Sequence, residues 1–155
     1  MKKQIDNKTG RSLDMVRIFR CMMEGGYNPI YETTHIVFGL DDNLAIVEYE
    51  DGVLSVRLFF SIEEDMYPLF LEASNRTMIS TFSVKPVVLD DMKNLMFCCE
   101  TLCDNVREFR KFFPRSIDLI REALSRHRVE MKKIIPAKDD YPSVAGIIKS
   151  DKIVS

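Results

Sequence analysis

Cysteine and histidine are the residues of this sequence best suited to chemistry. Three of the four cysteines lie close together, as Cys98, Cys99 and Cys103, and the fourth is Cys21. Adjacent residues of a strand point to opposite faces, so Cys98 and Cys99 cannot easily coordinate the same metal ion. No CxxC pair that could complete a metal site occurs elsewhere in the sequence. We expect the cysteines to be reduced and buried, with no metal bound.

The two histidines have no catalytic partner close to them in the sequence. His35 lies on an extended stretch, and His127 lies on the apolar stripe of the last predicted helix. No serine or cysteine has the local signature of a nucleophile, and the six glycines form neither a phosphate-binding loop nor a dinucleotide motif. We therefore predict a protein that is not an enzyme, with no catalytic residue and no cofactor.

Length and composition indicate one soluble domain. The 155 residues are 46% hydrophobic and 30% charged, enough for one core without disulfides or metal. No run approaches the roughly 18 apolar residues of a membrane span, and the first residues lack the apolar segment of a secretory signal. We expect a cytoplasmic α+β domain at residues 12–133, with a disordered arm at 1–11 and a C-terminal tail at 134–155.

Charge is unevenly distributed along the chain, although the formal net charge is only −2. Residues 41–65 hold eight acidic side chains against Arg57 alone, and residues 107–133 hold nine basic against four acidic ones. A basic helix beside an acidic sheet edge could steer a partner, but a solvated helix face is the commoner meaning of such a run. Nucleic-acid binding is not expected.

Hydrophobic spacing predicts a helix, three strands, a helix, two strands and a last helix. The first helix is capped by Ser12 and ends at Gly25-Gly26, and its methionine-rich face packs on the core. Three antiparallel strands between residues 31 and 60 turn at Asp42-Asn43 and at Asp51-Gly52. The second turn places Tyr49 opposite Leu54, Val47 opposite Val56 and Ala45 opposite Leu58.

The second half of the chain completes a five-stranded antiparallel sheet packed by helices. A capping box at residues 61–64 starts the second helix, which ends near Asn75, and strands follow at 78–84 and 95–101, joined through Pro86 and a turn at Asp90-Asp91. The last helix starts near Asn105, with Glu108 three residues on as its capping partner, and is interrupted or bent at Pro114. Its apolar stripe predicts packing on another helix, within the fold or across a dimer: Phe113, Ile117, Ile120, Leu124, His127 and Met131.

The tail is predicted to dock on the parent sheet or on another subunit through Val144, Ile147 and Ile148, or else to be mobile.

One face of the predicted sheet is unusually apolar for a face turned to water. Alternation puts five large apolar side chains there, beside Glu48, Ser55 and Arg57. Either the C-terminal tail covers this face, or a second subunit or a client protein does. The predicted protein-binding residues are Val37, Leu44, Ile46, Val53, Arg57 and Phe59.

The order of elements resembles the YbjN-like proteins, whose fold is similar to that of type III secretion chaperones. The resemblance spans about residues 12–131 and is carried by the strands at 36–38 and 54–60, the helix at 69–75, the strand at 78–84, and Ile117, Ile120 and Leu124. It implies a protein-binding module, often dimeric, without cofactor or catalytic residues. The alternative is a small-ligand-binding or enzymatic domain with a pocket between the sheet and helix one.

Overall fold

A computed structural model of the chain describes residues 12–135 and 148–149. Three α-helices and seven antiparallel strands are present in this part of the chain, with a 3-10 turn at Glu64–Met66. The helices are α1 (Met15–Glu24), α2 (Tyr67–Ser80) and α3 (Val106–Ile134). The strands are β1 (Ile30–Tyr31), β2 (Ile36–Leu40), β3 (Asn43–Glu50), β4 (Val53–Ile62), β5 (Val84–Val88), β6 (Asn94–Leu102) and β7 (Ile148–Lys149).

The predicted α+β architecture is confirmed, with more strands than expected. The sheet order is β1-β2-β3-β4-β6-β5, and β7 pairs with β4. The short strand β1 was not predicted, and it extends the sheet beyond β2. Two residues of the predicted tail, Ile148 and Lys149, pair with the parent sheet at Ile62 and Ser61. The arm at 1–11, together with Val144 and Ile147, lies outside the described residues.

Helix α1 begins later than the sequence suggested. The carboxylate of Asp14 caps it by accepting a hydrogen bond from the Arg17 N–H at 2.8 Å. The prediction that Ser12 is the cap is wrong, because Ser12 lies two residues upstream and its backbone bridges to Asn105. The predicted end at the glycine pair 25–26 is confirmed.

The β3–β4 hairpin has the predicted register. Ala45 is opposite Leu58, Val47 is opposite Val56, and the predicted third pair is also present. Asp51 and Gly52 have φ angles of 51° and 78°, the left-handed conformation of a two-residue type I′ turn. This turn therefore fixes which side chains share a face.

The β2–β3 hairpin turns one residue earlier than predicted. Asp41 and Asp42 occupy the turn, with φ angles of 51° and 65°, and Leu40 is opposite Asn43. The Asn43 side-chain amide donates to the Asp41 carbonyl at 2.7 Å, and the Arg121 guanidinium donates two 2.9 Å hydrogen bonds to the Asp41 carboxylate. Moving a two-residue turn by one position shifts the register by two, so the predicted faces are unchanged.

The segment between β4 and β6 departs most from the prediction. Residues 61 and 62 still belong to β4, so they do not form a capping box, and α2 starts at Tyr67 with Pro68 in its first turn. The helix continues past Asn75 to Ser80, and the Thr77 hydroxyl donates to the Ala73 carbonyl within it at 2.8 Å. A strand at 78–84 is therefore wrong.

Strand β5 lies instead at Val84–Val88 and contains Pro86, which the sequence placed in a connection. β5 is the last strand of the sheet, where the N–H that proline lacks can face away from the neighbouring strand.

Helix α3 is continuous across Pro114 over its 29 residues, so an interruption there is wrong, and the alternative of a bend at Pro114 stays a prediction. Its predicted cap is confirmed. Asn105 Oδ1 accepts from the Glu108 N–H at 2.8 Å, and the Asn105 amide donates to the Glu108 carboxylate at 3.1 Å. The predicted apolar stripe is buried, apart from the partly exposed Leu124, and faces α2 and the sheet.

The core lies between one face of the sheet, here called the inner face, and the three helices. Its largest buried side chains include six phenylalanines: Phe38, Phe60, Phe70, Phe97, Phe109 and Phe113. No helix within the described residues has the length and apolar character needed to span a bilayer. The opposite face of the sheet, the outer face, is the surface that the sequence singled out.

Candidate functional site

The outer face is built by alternate residues of the same strands whose other residues form the core. Val37 pairs with Ile46, and Ile46 pairs with Arg57, so these three side chains lie in one row across β2, β3 and β4. All six predicted site residues lie on this face, and each is partly exposed. The described helices contribute their buried residues to the core on the inner face.

A second row of the outer face is almost entirely apolar. Phe59 is opposite Met96, which is opposite Val87. On β3, Leu44 lies opposite Phe59. This follows from the antiparallel register of β3 and β4, in which the neighbouring residues Ala45 and Leu58 are paired. We call Val37, Leu44, Ile46, Phe59, Met96 and Val87 the outer patch.

Met96 and Val87 were missed by the sequence reasoning. The alternation of residues along β6 and β5 could have placed both side chains on the outer face. That prediction would have required the correct bounds of β5 and the knowledge that β6 pairs with β4. Val87 is 37% exposed, and Ile30, opposite Val37 at the sheet edge, is 47% exposed. The apolar surface is therefore wider than the predicted residues alone.

A polar strip borders the outer patch. Arg57 lies 3.6 Å from the Glu48 carboxylate, and its Nε donates to the Ser55 hydroxyl at 3.1 Å. The Ser55 hydroxyl is 3.7 Å from the Cys98 thiol, which donates to Glu100 at 3.5 Å. Each of these side chains has a partner within the strip, so the strip orients Arg57 beside the apolar row.

Val53 is separated from the other predicted site residues. It lies beyond the polar strip, opposite Leu102, which is 74% exposed. A groove with a volume of about 260 Å³ is lined by Val53 and by the polar strip, and its acidic side chains include Glu48, Glu50 and Glu100. The structure thus brings five of the six predicted residues together and leaves Val53 on the far side of Ser55.

The cysteines are placed as the strand argument predicted. Cys98 is on the outer face opposite Arg57, and Cys99 is on the inner face opposite Val56. All four cysteines are free thiols, and Cys98, Cys99 and Cys103 are buried, whereas Cys21 is partly exposed. Burial raises the pKa of all three buried thiols, that of Cys103 to about 11, which disfavours the nucleophilic thiolate.

The remaining candidates for chemistry are core or isolated residues. His127 is fully buried, and its Nε2 lies 3.2 Å from the Ser74 hydroxyl. His35 lies just before β2, with its Nδ1 3.2 Å from the Thr34 hydroxyl. Within the residues described, no group of three or more His, Cys, Asp or Glu could hold a metal ion.

The contact between α1 and the sheet, where the alternative hypothesis put a ligand pocket, is occupied by packed side chains. Ile18 and Met22 of α1 are fully buried. Tyr27 meets the rings of Phe38 and Phe113 at centroid distances of 6.0 and 5.0 Å. Met22 of the methionine face therefore belongs to the core, whereas Met23 is 53% exposed.

Comparison with known proteins supports the fold assignment. No protein-family model matches the sequence. No curated protein matches it either. Among solved structures, the chain is similar to the crystal structure of YbjN from E. coli, provisionally described as a transcription regulator, with a TM-score of 0.61 and 13% identity. The match covers 73% of this chain and 93% of that one, so this chain has a YbjN-like fold.

Proposed function

We propose that this chain is a non-enzymatic protein-binding module, chaperone-like or regulatory, that associates through the outer face with a second copy of itself or with a client segment. One observation carries the proposal: the outer patch contains an apolar row across four neighbouring strands, formed by Leu44, Phe59, Met96 and Val87.

An antiparallel sheet can leave one face in water, but that face is then usually polar. Scattered apolar side chains on a surface need no explanation, whereas a contiguous apolar patch with a polar rim is typical of an interaction site. Here the strip around Arg57 and Glu48 supplies the rim. Pairs of charges at a rim fix the orientation of a partner more than they add affinity.

Similarity to YbjN is compatible with this function but does not establish it, since a shared fold does not determine activity. The four free thiols agree with a reducing compartment, and a cytoplasmic location is part of the proposal.

The proposal is tested by the mass of the full chain in solution. Light scattering on a sizing column, at several protein concentrations, should give a dimer of twice 18.0 kDa that dissociates on dilution. A mass of 18.0 kDa at every concentration would contradict self-association through the outer patch.

A further inference from the structure

A positively charged groove lies on the helical side of the domain, between α1 and the first turns of α3. Its volume is about 470 Å³, within the range of ligand-binding clefts. Two arginines of α1, Arg17 and Arg20, and two of α3, Arg107 and Arg110, line it together with Glu24. These residues come from parts of the chain far apart in sequence, so the fold creates this concentration of charge.

The four arginines differ in how far their charge is already satisfied. Arg17 bonds the Asp14 carboxylate at 3.1 Å, and Arg110 reaches the Glu24 carboxylate at 3.5 Å. Arg20 and Arg107 are exposed and make no ion pair with any residue between 12 and 135. The groove therefore presents two guanidinium groups that have no ion-pair partner among the described residues, and a third in a long, exposed pair.

Glu24 indicates what the groove accepts. Its carboxylate extends from α1 to Arg110 on α3, and the two side chains are 68% and 64% exposed. A carboxylate from another molecule could replace Glu24 at Arg110, and further carboxylates of the same molecule could pair with Arg20 and Arg107, which line the same groove. Guanidinium groups match the planar geometry of carboxylates, and Arg17 already binds one.

We propose that this groove binds a carboxylate-rich segment of a partner protein. A nucleic acid fits less well, because none of the described residues that line the groove is aromatic and could stack on a base, and Glu24 would repel a continuous phosphate backbone. This site is separate from the outer patch, and the proposal does not depend on the function assigned to that surface.

The test measures binding of a fluorescein-labelled peptide, in which glutamate alternates with glycine and serine, to the full chain by fluorescence anisotropy. The same peptide with glutamine in place of glutamate, and a labelled single-stranded oligothymidylate, are the comparison probes. We expect the acidic peptide to bind more tightly than both, and its affinity to fall as salt is raised.

Two variants locate the site. Arg20→Gln with Arg107→Gln should weaken peptide binding by roughly tenfold, since two exposed charge contacts are lost. Glu24→Gln should strengthen it by about threefold, because the competing carboxylate at Arg110 is removed. A variant that only damaged the fold would not give this increase.

The matched control is Arg128→Gln with Lys132→Gln, which removes the same charge from exposed positions nearer the other end of α3 and should leave binding unchanged. Ile46→Glu with Phe59→Glu, which changes the outer patch, should also leave it unchanged.

Three results would overturn the proposal. The first is that the wild-type chain does not bind the acidic peptide, and the second is that the groove variant and its control lose the same amount of affinity for it. The third is that the oligothymidylate binds more tightly than the peptide.

Discussion

The imidazole Nε2 of His127 lies 3.2 Å from the hydroxyl oxygen of Ser74, joining α3 to α2 inside the core. The His127 ring stacks on Phe70 and meets the edge of Phe97, at centroid distances of 5.9 and 5.5 Å. Burial, with a smaller contribution from the charge of Arg128, lowers the pKa of His127 to about 4. This histidine is therefore neutral at neutral pH and serves as a core residue.

The stability of the protein should fall as pH is lowered from about 6.5 to about 4 because of His127. In this window the unfolded chain binds a proton at His127, with a pKa near 6.5, and the native chain does not. The free energy of unfolding then falls by about 1.4 kcal/mol for each pH unit, or by ~3 kcal/mol over the whole window. Urea unfolding at a series of pH values measures this slope.

The control for that slope is His127→Leu combined with Ser74→Ala, which removes the titrating ring and its hydrogen-bond partner together. Carboxylates such as Asp41, whose pKa is lowered mainly by its hydrogen bond with Arg121, act equally in both proteins. The difference in slope between the two proteins therefore belongs to His127. Identical slopes would contradict a neutral, buried imidazole.

The aromatic cluster under α3 should dominate the stability of the domain. The ring of Phe113 is 5.0 Å from those of Tyr27 and Phe109, and it is buried. Phe113→Ala should cost about 3–5 kcal/mol of the free energy of unfolding, because it leaves a cavity between α3 and β2. The matched control is Phe82→Ala, at a side chain 83% exposed, which should change stability by less than about 0.5 kcal/mol. Similar losses in the two variants, measured by denaturant unfolding, would be incompatible with this core.

Thiol reagents should distinguish Cys21 from the other cysteines. Cys21 is partly exposed, whereas Cys98, Cys99 and Cys103 are buried and have raised pKa values. We expect N-ethylmaleimide to modify Cys21 first in the native chain and the other thiols only after denaturation. Mass spectrometry of the labelled peptides identifies the sites, and early labelling of Cys98 would show that the outer face is more open than described.

Local signals predicted the sheet well where a turn is chemically specific. Asp51-Gly52 fixed the β3–β4 register, and with it the face that carries Ile46 and Phe59. Apolar residues spaced alternately four and three apart likewise placed Ile117 and Ile120 in the core. Of the features that carried the resemblance to the YbjN-like fold, Ile117 and Ile120 lie as predicted, whereas the strand at 78–84 does not form there.

The region from residue 61 to residue 88 could not be predicted in this way because competing signals overlap there. Residues 61–64 match a capping box, yet pairing with β6 keeps Ser61 in β4. Met78 and Ile79 look like part of a strand, yet α2 continues through them. Pro86 suggests a connection, and it is tolerated only because β5 becomes the edge of the sheet, which depends on the whole topology.

The basic groove was beyond sequence reasoning for a similar reason. Arg107 and Arg110 belong to a run of basic residues that is most simply a solvated helix face. Only the packing of α1 beside α3 brings Arg20 to them.

The central claim, that the outer patch is an association surface, is tested most directly by comparing two double variants in one light-scattering experiment. Ile46→Glu with Phe59→Glu places charges in the outer patch, and Ile79→Glu with Phe82→Glu makes the same exchanges at the α2–β5 corner, where the side chains are 89% and 83% exposed. We predict that the first variant is a folded monomer of 18.0 kDa and that the second stays dimeric like the wild type. The assignment of association to the outer patch would be contradicted if the first variant were a dimer. It would also be contradicted if only the second variant were a monomer.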